Sequence, residues 1–314
     1  MSKNTYPKVS IIIPTYNRAY LLPQAIKSVL NQTFKDFELI IIDDGSTDNT
    51  RQVVEKFQKR DSRIKYIWQE NFGGPAKPIN TGLKSAQGEY IAFLESDDEW
   101  LPEKLERQLE VFQGSKKGNL GFVGCNVLIV NEKTKTTKVY NILNYDNKIL
   151  EKLLAGEFFS NFSTHMVKRE VMNIIGLLDE NLKLSADQDI CLRIAKRYNF
   201  DFVSTPLIKY HVHEENISMK SSYNKQLTDW LYILRKHQGL YKRYPKIYSH
   251  VLRGLGALYI LSGNCKQSRQ YFLRSIAAYP LNFKSYRNLL LSFLGSKAYR
   301  ALLSFKEKIS QNSL

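Results

Sequence analysis

The sequence predicts an α/β protein, a mostly parallel sheet flanked by helices, followed by a basic α-helical C-terminal region. Three observations carry this expectation. Short apolar runs rich in β-branched residues alternate with stretches of helical periodicity through the first hundred residues. Polar loops bearing reactive side chains recur just after those runs. Charge is also uneven: residues 221–314 hold 16 Lys and Arg against Asp229 and Glu307, a net of +14, while the first 220 residues hold 30 basic and 28 acidic groups, a net of +2. Such asymmetry marks a boundary near residue 220 and two parts with different work.

The elements follow in order. VSIII (9–13) reads as the first strand, and Leu21, Ile26, Val29 and Leu30 continue at helical spacing. FELIIID (37–43) is the second strand, followed by a helix from Asp48 with Val53, Val54 and Phe57 on one face. IKYIWQ (64–69), a helix over 75–86 and YIAFL (90–94) complete four strand units. Continuous β-branched runs between helices mark parallel strands buried on both faces, hence a βαβ array. A helix over 102–113, a strand over 120–130 and a less regular zone to about 160 come next. ADQDICLRIAKRY (186–198) then reads as an amphipathic helix with Ile190, Leu192, Ile194 and Ala195 inward.

Composition narrows the class. Of 314 residues, 43% are hydrophobic and 24% charged, ordinary globular values that allow a sizeable core. Cys125, Cys191 and Cys265 are odd in number, far apart and form no CxxC pair, which favours a reducing compartment without disulfides or zinc. The opening MSKNTYPKVSIIIP lacks a signal-peptide core, and no apolar run approaches the roughly 18 residues of a membrane span. A cytosolic protein is expected.

In open α/β sheets, ligands gather beyond the carboxyl ends of the strands. PTYN (14–17), DDGSTD (43–48) and ESDD (95–98) all fall there. Each alone is also ordinary turn and cap chemistry. Three on one edge converge on a cleft. The sharpest stretch is YIAFLESDDEW, where Glu95, Asp97, Asp98 and Glu99 crowd together behind a buried strand. It reads either as a solvated strand-to-helix turn or as a site for a hard divalent cation that shares its oxygen ligands with phosphates.

VSIIIPTYNR, NQTFKDFELIIIDDGSTDNT and NFGGPAKPINTGLKSAQGEYIAFLESDDEW, continued by STHMVKREVMNIIGLLDENL, ADQDICLRIAKRYNF and YHVHEENIS, resemble family 2 glycosyltransferases of the Rossmann-like GT-A fold. The resemblance covers roughly residues 8 to 218. It implies a catalytic domain over 1–220, with a nucleotide-sugar half over about 1–100 and an acceptor half over about 101–220, ahead of the basic helical region 221–314. The activity it implies is metal-dependent, inverting transfer of a hexosyl or N-acetylhexosaminyl group from a nucleotide sugar, usually UDP-linked. The acceptor would be a glycan or a lipid-linked molecule of cell-surface polysaccharide or glycolipid biosynthesis.

By the same resemblance, Asp98 is the direct ligand of Mn²⁺ or Mg²⁺, Asp97 faces the ribose or a metal-bound water, and His213 stands near metal and diphosphate. Asp44 would accept a hydrogen bond from uracil, with Asp43 beside it and Pro14, Thr15, Tyr16 and Asn17 flanking the base. Gly74, Lys77 and Asn80 of NFGGPAKPIN would face the donor. Asp187 would be the general base, with Asp189 as its rival. Three positions depart from the family: Glu95 replaces a usual Asp, Ile79 a frequent Arg, and Ala186 a usual Glu. Glu95 is therefore not counted as a ligand, and His165 and His211 are expected to be structural. The retained Asp44, Asp97, Asp98 and Asp187 favour an enzyme over a catalytically silent nucleotide-sugar-binding or scaffold protein.

In the C-terminal region, VLRGLGALYILSGNCKQSRQYFLRSIAAYPLN resembles one helix-turn-helix of a tetratricopeptide-like repeat, without a second copy. KSYRNLLLSFLGSKAYRALLSFKEKIS interleaves Lys and Arg with Leu, Phe and Tyr, and Leu302, Phe305 and Ile309 share a helical face. A basic amphipathic stretch of this kind is expected on an anionic membrane surface, which would make the protein peripheral on the inner face of the membrane. Packing against the catalytic domain is the alternative. No nucleic acid partner is expected, because no recognition motif accompanies the charge.

Overall fold

In the computed structural model, which describes residues 6–141, 148–157, 161–214, 216 and 222–300, four strand–helix units come first. Strands β1 (Val9–Thr15), β2 (Phe37–Asp43), β3 (Ile64–Trp68) and β4 (Tyr90–Phe93) alternate with helices α1 (Leu22–Leu30), α2 (Thr50–Gln58) and α3 (Ala76–Ser85). The strands pair in the order β3-β2-β1-β4, all parallel, with Ile12 opposite Ile40 and Thr15 opposite Asp43. Ile11, Ile12, Ile13, Leu39, Ile40, Ile41 and Ile42 are wholly buried, as the continuous apolar runs require. Gly82 lets α3 lie directly on β1: a Cβ there would stand 2.6 Å from Ile12 Cγ2.

The second half of this sheet departs from the simple repeat. It contains β5 (Glu99–Trp100), α4 (Lys104–Gly114), β6 (Leu120–Asn131), β7 (Thr136–Tyr140), α5 (Ile149–Ala155), a 3-10 turn at Phe162–Thr164, β8 (Met166–Lys168), α6 (Arg169–Ile175), α7 (Ala186–Ala195) and β9 (Asn199–Val212). The full order is β3-β2-β1-β4-β8-β6-β9-β5, with β7 added to β6. Strands β5, β7 and β8 join antiparallel, whereas β9 runs parallel to β6. This mixed extension gives the GT-A-type sheet anticipated above. Periodicity did not disclose β5, β8 or β9. Two are very short, and β9 carries Pro206 where its register on β6 slips.

Beneath the acidic loop, Phe122 stacks on Phe200 with centroids 4.2 Å apart, and the buried His165 ring meets Phe122 and Phe162 edge-on. Burial, then Lys104, pushes His165 down to about 3. It is a packed core imidazole. Lys104 is itself fully buried, with Nζ 3.8 Å over the Trp100 ring.

The chain divides into two compact units, Met1–Leu150 with Phe158–Asn216, and Glu151–Glu157 with Ile217–Leu314. In the second unit lie α8 (Tyr223–Lys236), α9 (Gln238–Tyr241), α10 (Pro245–Leu261), α11 (Cys265–Ala278) and α12 (Phe283–Ser292). Helices α10 and α11 are the expected helix-turn-helix, and the Asn264 side chain caps α11 by accepting from the Gln267 amide. No helix among the described residues is long and apolar enough to cross a membrane. Leu302, Phe305 and Ile309 lie outside the described residues.

Candidate active site at the carboxyl edge of the sheet

Strands β1 and β2 deliver the first two polar loops side by side. Asn17 adopts φ 50°, a left-handed conformation that Asn tolerates. Its Oδ1 accepts from the Thr47 amide at 2.8 Å and the Asp48 amide at 3.3 Å, which ties the PTYN loop to the DDGSTD loop. Asn17 is thus a fastener between loops. Asp43 is buried, its Oδ1 accepting from the Ser46 amide at 2.8 Å and its Oδ2 from the Tyr66 hydroxyl at 2.6 Å. Gly45, at φ 81°, turns the chain so tightly that a Cβ would sit 2.8 Å from the Asn71 amide nitrogen.

Asp44 organises the neighbouring loop. Its Oδ1 accepts from Gln69 Nε2 at 2.6 Å, and its Oδ2 accepts from the Phe72 amide at 3.0 Å. Thr15 is nearly sealed from solvent, and its hydroxyl meets no partner among the described residues. Tyr16, by contrast, is about half exposed at the rim. Pro14 lies within β1 opposite Ile42.

The 72–80 segment splits in two. Lys77 Nζ lies 4.7 Å from the Phe72 ring centroid and Lys183 Nζ 3.7 Å from it, so two cations flank one aromatic. Gly74 packs against Lys183. Asn80 turns elsewhere: its amide donates to the Leu178 carbonyl at 3.0 Å and Glu180 at 2.9 Å, and its Oδ1 accepts from the Leu178 amide at 2.8 Å. All its capacity goes to clamping α3 to the 178–180 turn.

The acidic loop after β4 is the electrostatic centre. Asp98 is buried; its Oδ2 accepts from Ser163 Oγ at 2.5 Å and Asn161 Nδ2 at 3.4 Å. Its Oδ1 is sealed from solvent and meets no donor at full hydrogen-bonding geometry, although the His211 backbone amide is close enough to favour the ionised carboxylate. Burial, then the Asp97 charge, holds the Asp98 carboxyl well above the usual carboxylate range. Glu95 is pushed up in the same way by burial and then by Asp98, Asp97 and Asp187, while it accepts from Asn161 Nδ2 at 3.1 Å. Asp187 therefore belongs to the same charged cluster, though it comes from α7.

Asp97 faces Arg18 and His213 instead. Arg18 Nη2 lies 3.9 Å and His213 Nε2 3.5 Å from its Oδ2. His213 is thus set against Asp97, not Asp98.

The two candidate bases differ in their surroundings. Asp189 is wholly buried and paired with Arg193 Nε at 2.9 Å; Arg193 also donates to the Ile175 and Leu177 carbonyls. Asp187 is partly exposed in the first turn of α7, with Oδ1 accepting from the Gln188 amide at 2.8 Å.

Among the described residues, no three His, Cys, Asp or Glu side chains form a closed ligand set. A buried carboxylate oxygen without a full hydrogen bond, in a cluster where like charge favours neutralisation, does fit one ligand of a hard cation. Such a cation would draw its remaining ligands from phosphate and water. Arg18, Asn161, Ser163 and Lys183 were missed in the sequence reading. Arg18 directly follows PTYN, Ser163 opens the STHMVKRE motif and Asn161 lies two residues before it, but nothing in a linear pattern says that they reach Asp97 or Asp98. A recess of about 280 Å³ lined by Glu89, Tyr90, Lys168 and Arg169 lies at the opposite end of β4 and holds none of the expected residues.

A family profile described as Glycosyl transferase family 2 matches residues 10–174. A Campylobacter jejuni protein, the GalNAc(5)-diNAcBac-PP-undecaprenol beta-1,3-glucosyltransferase, is 41% identical over 176 residues, 53% of this chain and 55% of its own length. The chain spans only 29%, 55% and 30% of the lengths of three curated relatives. Among solved structures, Staphylococcus aureus TarS 1-349 in complex with UDP-GlcNAc superposes with a TM-score of 0.64 at 20% identity, over 94% of this chain and 92% of that one. The Pyrobaculum calidifontis mannosyltransferase PcManGT, in complex with GDP-Man and Mn²⁺, does so with a TM-score of 0.55 at 15% identity, covering 94% and 87%. At such identities these structures establish likeness of fold.

Proposed function

The chain belongs to glycosyl transferase family 2, and from that premise we propose that it moves a sugar from a UDP-linked donor to a glycan or lipid-linked acceptor with inversion. The observation that carries this reading is the cluster of Glu95, Asp97, Asp98 and Asp187 at one strand edge, faced by Arg18 and His213. A purely structural turn has no use for mutually repelling, partly buried acids.

The residues divide the work. Thr15, with its unpartnered buried hydroxyl, Tyr16 at the rim and Asp44 form the base-recognition wall. Asp44 Oδ1 takes one protein donor and retains accepting capacity for a pyrimidine N–H. Asp98, steadied by Ser163 and Asn161, would hold Mn²⁺ or Mg²⁺. When bound there, a divalent cation neutralises charge on the departing diphosphate. Arg18 and His213 orient Asp97, Arg18 adds positive potential beside the phosphates, and Lys77 and Lys183 supply it from the 72–80 and 178–185 segments. Asp187 takes the acceptor hydroxyl's proton as that oxygen attacks the anomeric carbon. Burial of Asp189 and its pairing with Arg193 support Asp187 over Asp189 for that role. The C. jejuni relative's name specifies an undecaprenol-linked acceptor, which supports a lipid-linked acceptor for this chain.

The test is a panel of UDP and GDP sugars, scored by thermal stabilisation and by nucleotide release, with Mn²⁺, Mg²⁺ or EDTA. Cation-dependent stabilisation by UDP and turnover of at least one UDP sugar are expected. Indifference to every nucleotide in the presence of metal would overturn the reading.

A further inference from the structure

Helix α12 is built inside out. Its buried positions are Ser285, Asn288 and Ser292, while Phe283 and Leu290 are 74% and 70% exposed and Tyr286 lies outward with them. Just beyond the helix, Phe293 and Leu294 are 63% and 65% exposed, and Leu281 precedes it at 63%. The polar face is not misplaced. Ser285 Oγ lies 2.7 Å from Ser275 Oγ on α11, Ser275 Oγ donates to the Ser249 carbonyl on α10, and Asn282 donates to Ser249 Oγ at 2.9 Å. Small hydrogen-bonded side chains let the three helices approach closely, so the large apolar residues are left outside. Scattered single apolar residues on a surface need no explanation, but a contiguous patch of this size does.

The charge around the patch selects the partner. No Asp or Glu occurs between Asp229 and Glu307. Lys284, Arg287 and Lys297 are exposed among the apolar side chains, and the Arg269 guanidinium lies 4.4 Å over the Phe293 ring. A second copy of this face would bring like charges together. A nucleic acid would satisfy the cations but leave Phe283, Leu290 and Leu294 in water. A layer with anionic headgroups above an apolar interior satisfies both at once.

We infer that α12 and the turn after it are an interfacial membrane anchor, with Phe283, Leu290 and Leu294 inserting below the headgroups and Lys284, Arg287 and Lys297 held among them. This rests on the reading that the enzyme works at a membrane, and it names the surface that meets the lipid. Aromatic and long aliphatic side chains at the interface make the attachment partly insensitive to salt, unlike a purely cationic patch.

The experiment is flotation of the full chain with vesicles of phosphatidylcholine alone and of equal parts phosphatidylcholine and phosphatidylglycerol. The wild-type chain should bind the anionic vesicles strongly and the neutral ones weakly. The triple variant Phe283→Ser, Leu290→Ser, Leu294→Ser should lose about tenfold or more in partition to both, with residual binding that salt abolishes. Lys284→Glu, Arg287→Glu and Lys297→Glu together should lose the preference for anionic lipid, at about fivefold per cation removed. All six positions are exposed, and an unchanged melting temperature verifies that the variants fold. If the wild-type chain binds anionic vesicles and the serine variant binds them equally well, α12 is not the anchor although the membrane reading stands. If the wild-type chain ignores vesicles yet is retained on heparin, both fall and the face serves a free polyanion. Neither result touches the nucleotide-sugar assay.

Discussion

The two units leave charge unneutralised in opposite ways. In the first, Glu95, Asp97, Asp98 and Asp187 crowd against one another, and burial drives Asp98 and Glu95 toward protonation. In the second, the Lys and Arg between Asp229 and Glu307 have no acid among them along the chain, and most of those described are exposed. Burying like charges is costly and is kept only where something of opposite sign arrives. Exposing them costs little and leaves a field that attracts a partner from a distance. The difference separates a site that grips a small ion from a surface that meets an extended one.

The strongest way to break this comparison is Asp98→Ala. It should abolish cation-dependent UDP stabilisation while leaving vesicle flotation unchanged; retained cation dependence would remove Asp98 from the metal. Next comes Asp187→Asn, which should keep UDP and metal affinity but lower turnover by about 10² to 10⁴. If Asp187→Asn turns over normally and Asp189→Asn does not, the base has been assigned to the wrong carboxylate.

Asp189→Asn should instead act on stability. It withdraws the charge paired with Arg193 and should cost about 1–3 kcal/mol, read from denaturant midpoints, with UDP affinity intact.

The mildest test concerns Lys104, a buried cation to which no counter-charge comes. Its Nζ meets no hydrogen-bond partner among the described residues, and burial lowers it to about 7. Between that value and the ordinary lysine value the unfolded chain holds a proton that the folded chain releases. Stability should therefore rise with pH across that window and be lost as pH falls toward 7. Lys104→Met keeps the buried stem, should flatten the slope and should add about 1–3 kcal/mol near neutrality. A melting temperature that keeps its wild-type slope in this variant would assign the slope to another group.

Much of the first unit could be read from the chain because its determinants are local. Runs such as SIII and LIIID allow only buried parallel strands, and the loops after them must then share an edge. The acids were legible for the same reason, since YIAFLESDDEW places them at a strand end. Strands β5, β8 and β9 were not, because short or proline-bearing strands become strands only when a partner supplies the hydrogen bonds.

The sequence by itself determined the α/β order, the family resemblance, the acidic cluster and the acid-free C-terminal region, all of which are properties of neighbours along the chain. Only the tertiary structure decided what surrounds each member of that set. Asp187 and Asp189 are two residues apart and chemically identical, yet the fold gives one to Arg193 and leaves the other in the charged cluster. Asn80 and Asp98 were both expected at the donor; packing ties the amide of the first to the 178–180 turn and buries the second against Ser163 and Asn161. In α12 the pattern of apolar residues could not say which face turns inward. That was settled by Ser249, Ser275 and Ser285 meeting across three helices, because a close helix approach admits small hydrogen-bonded side chains and excludes large ones.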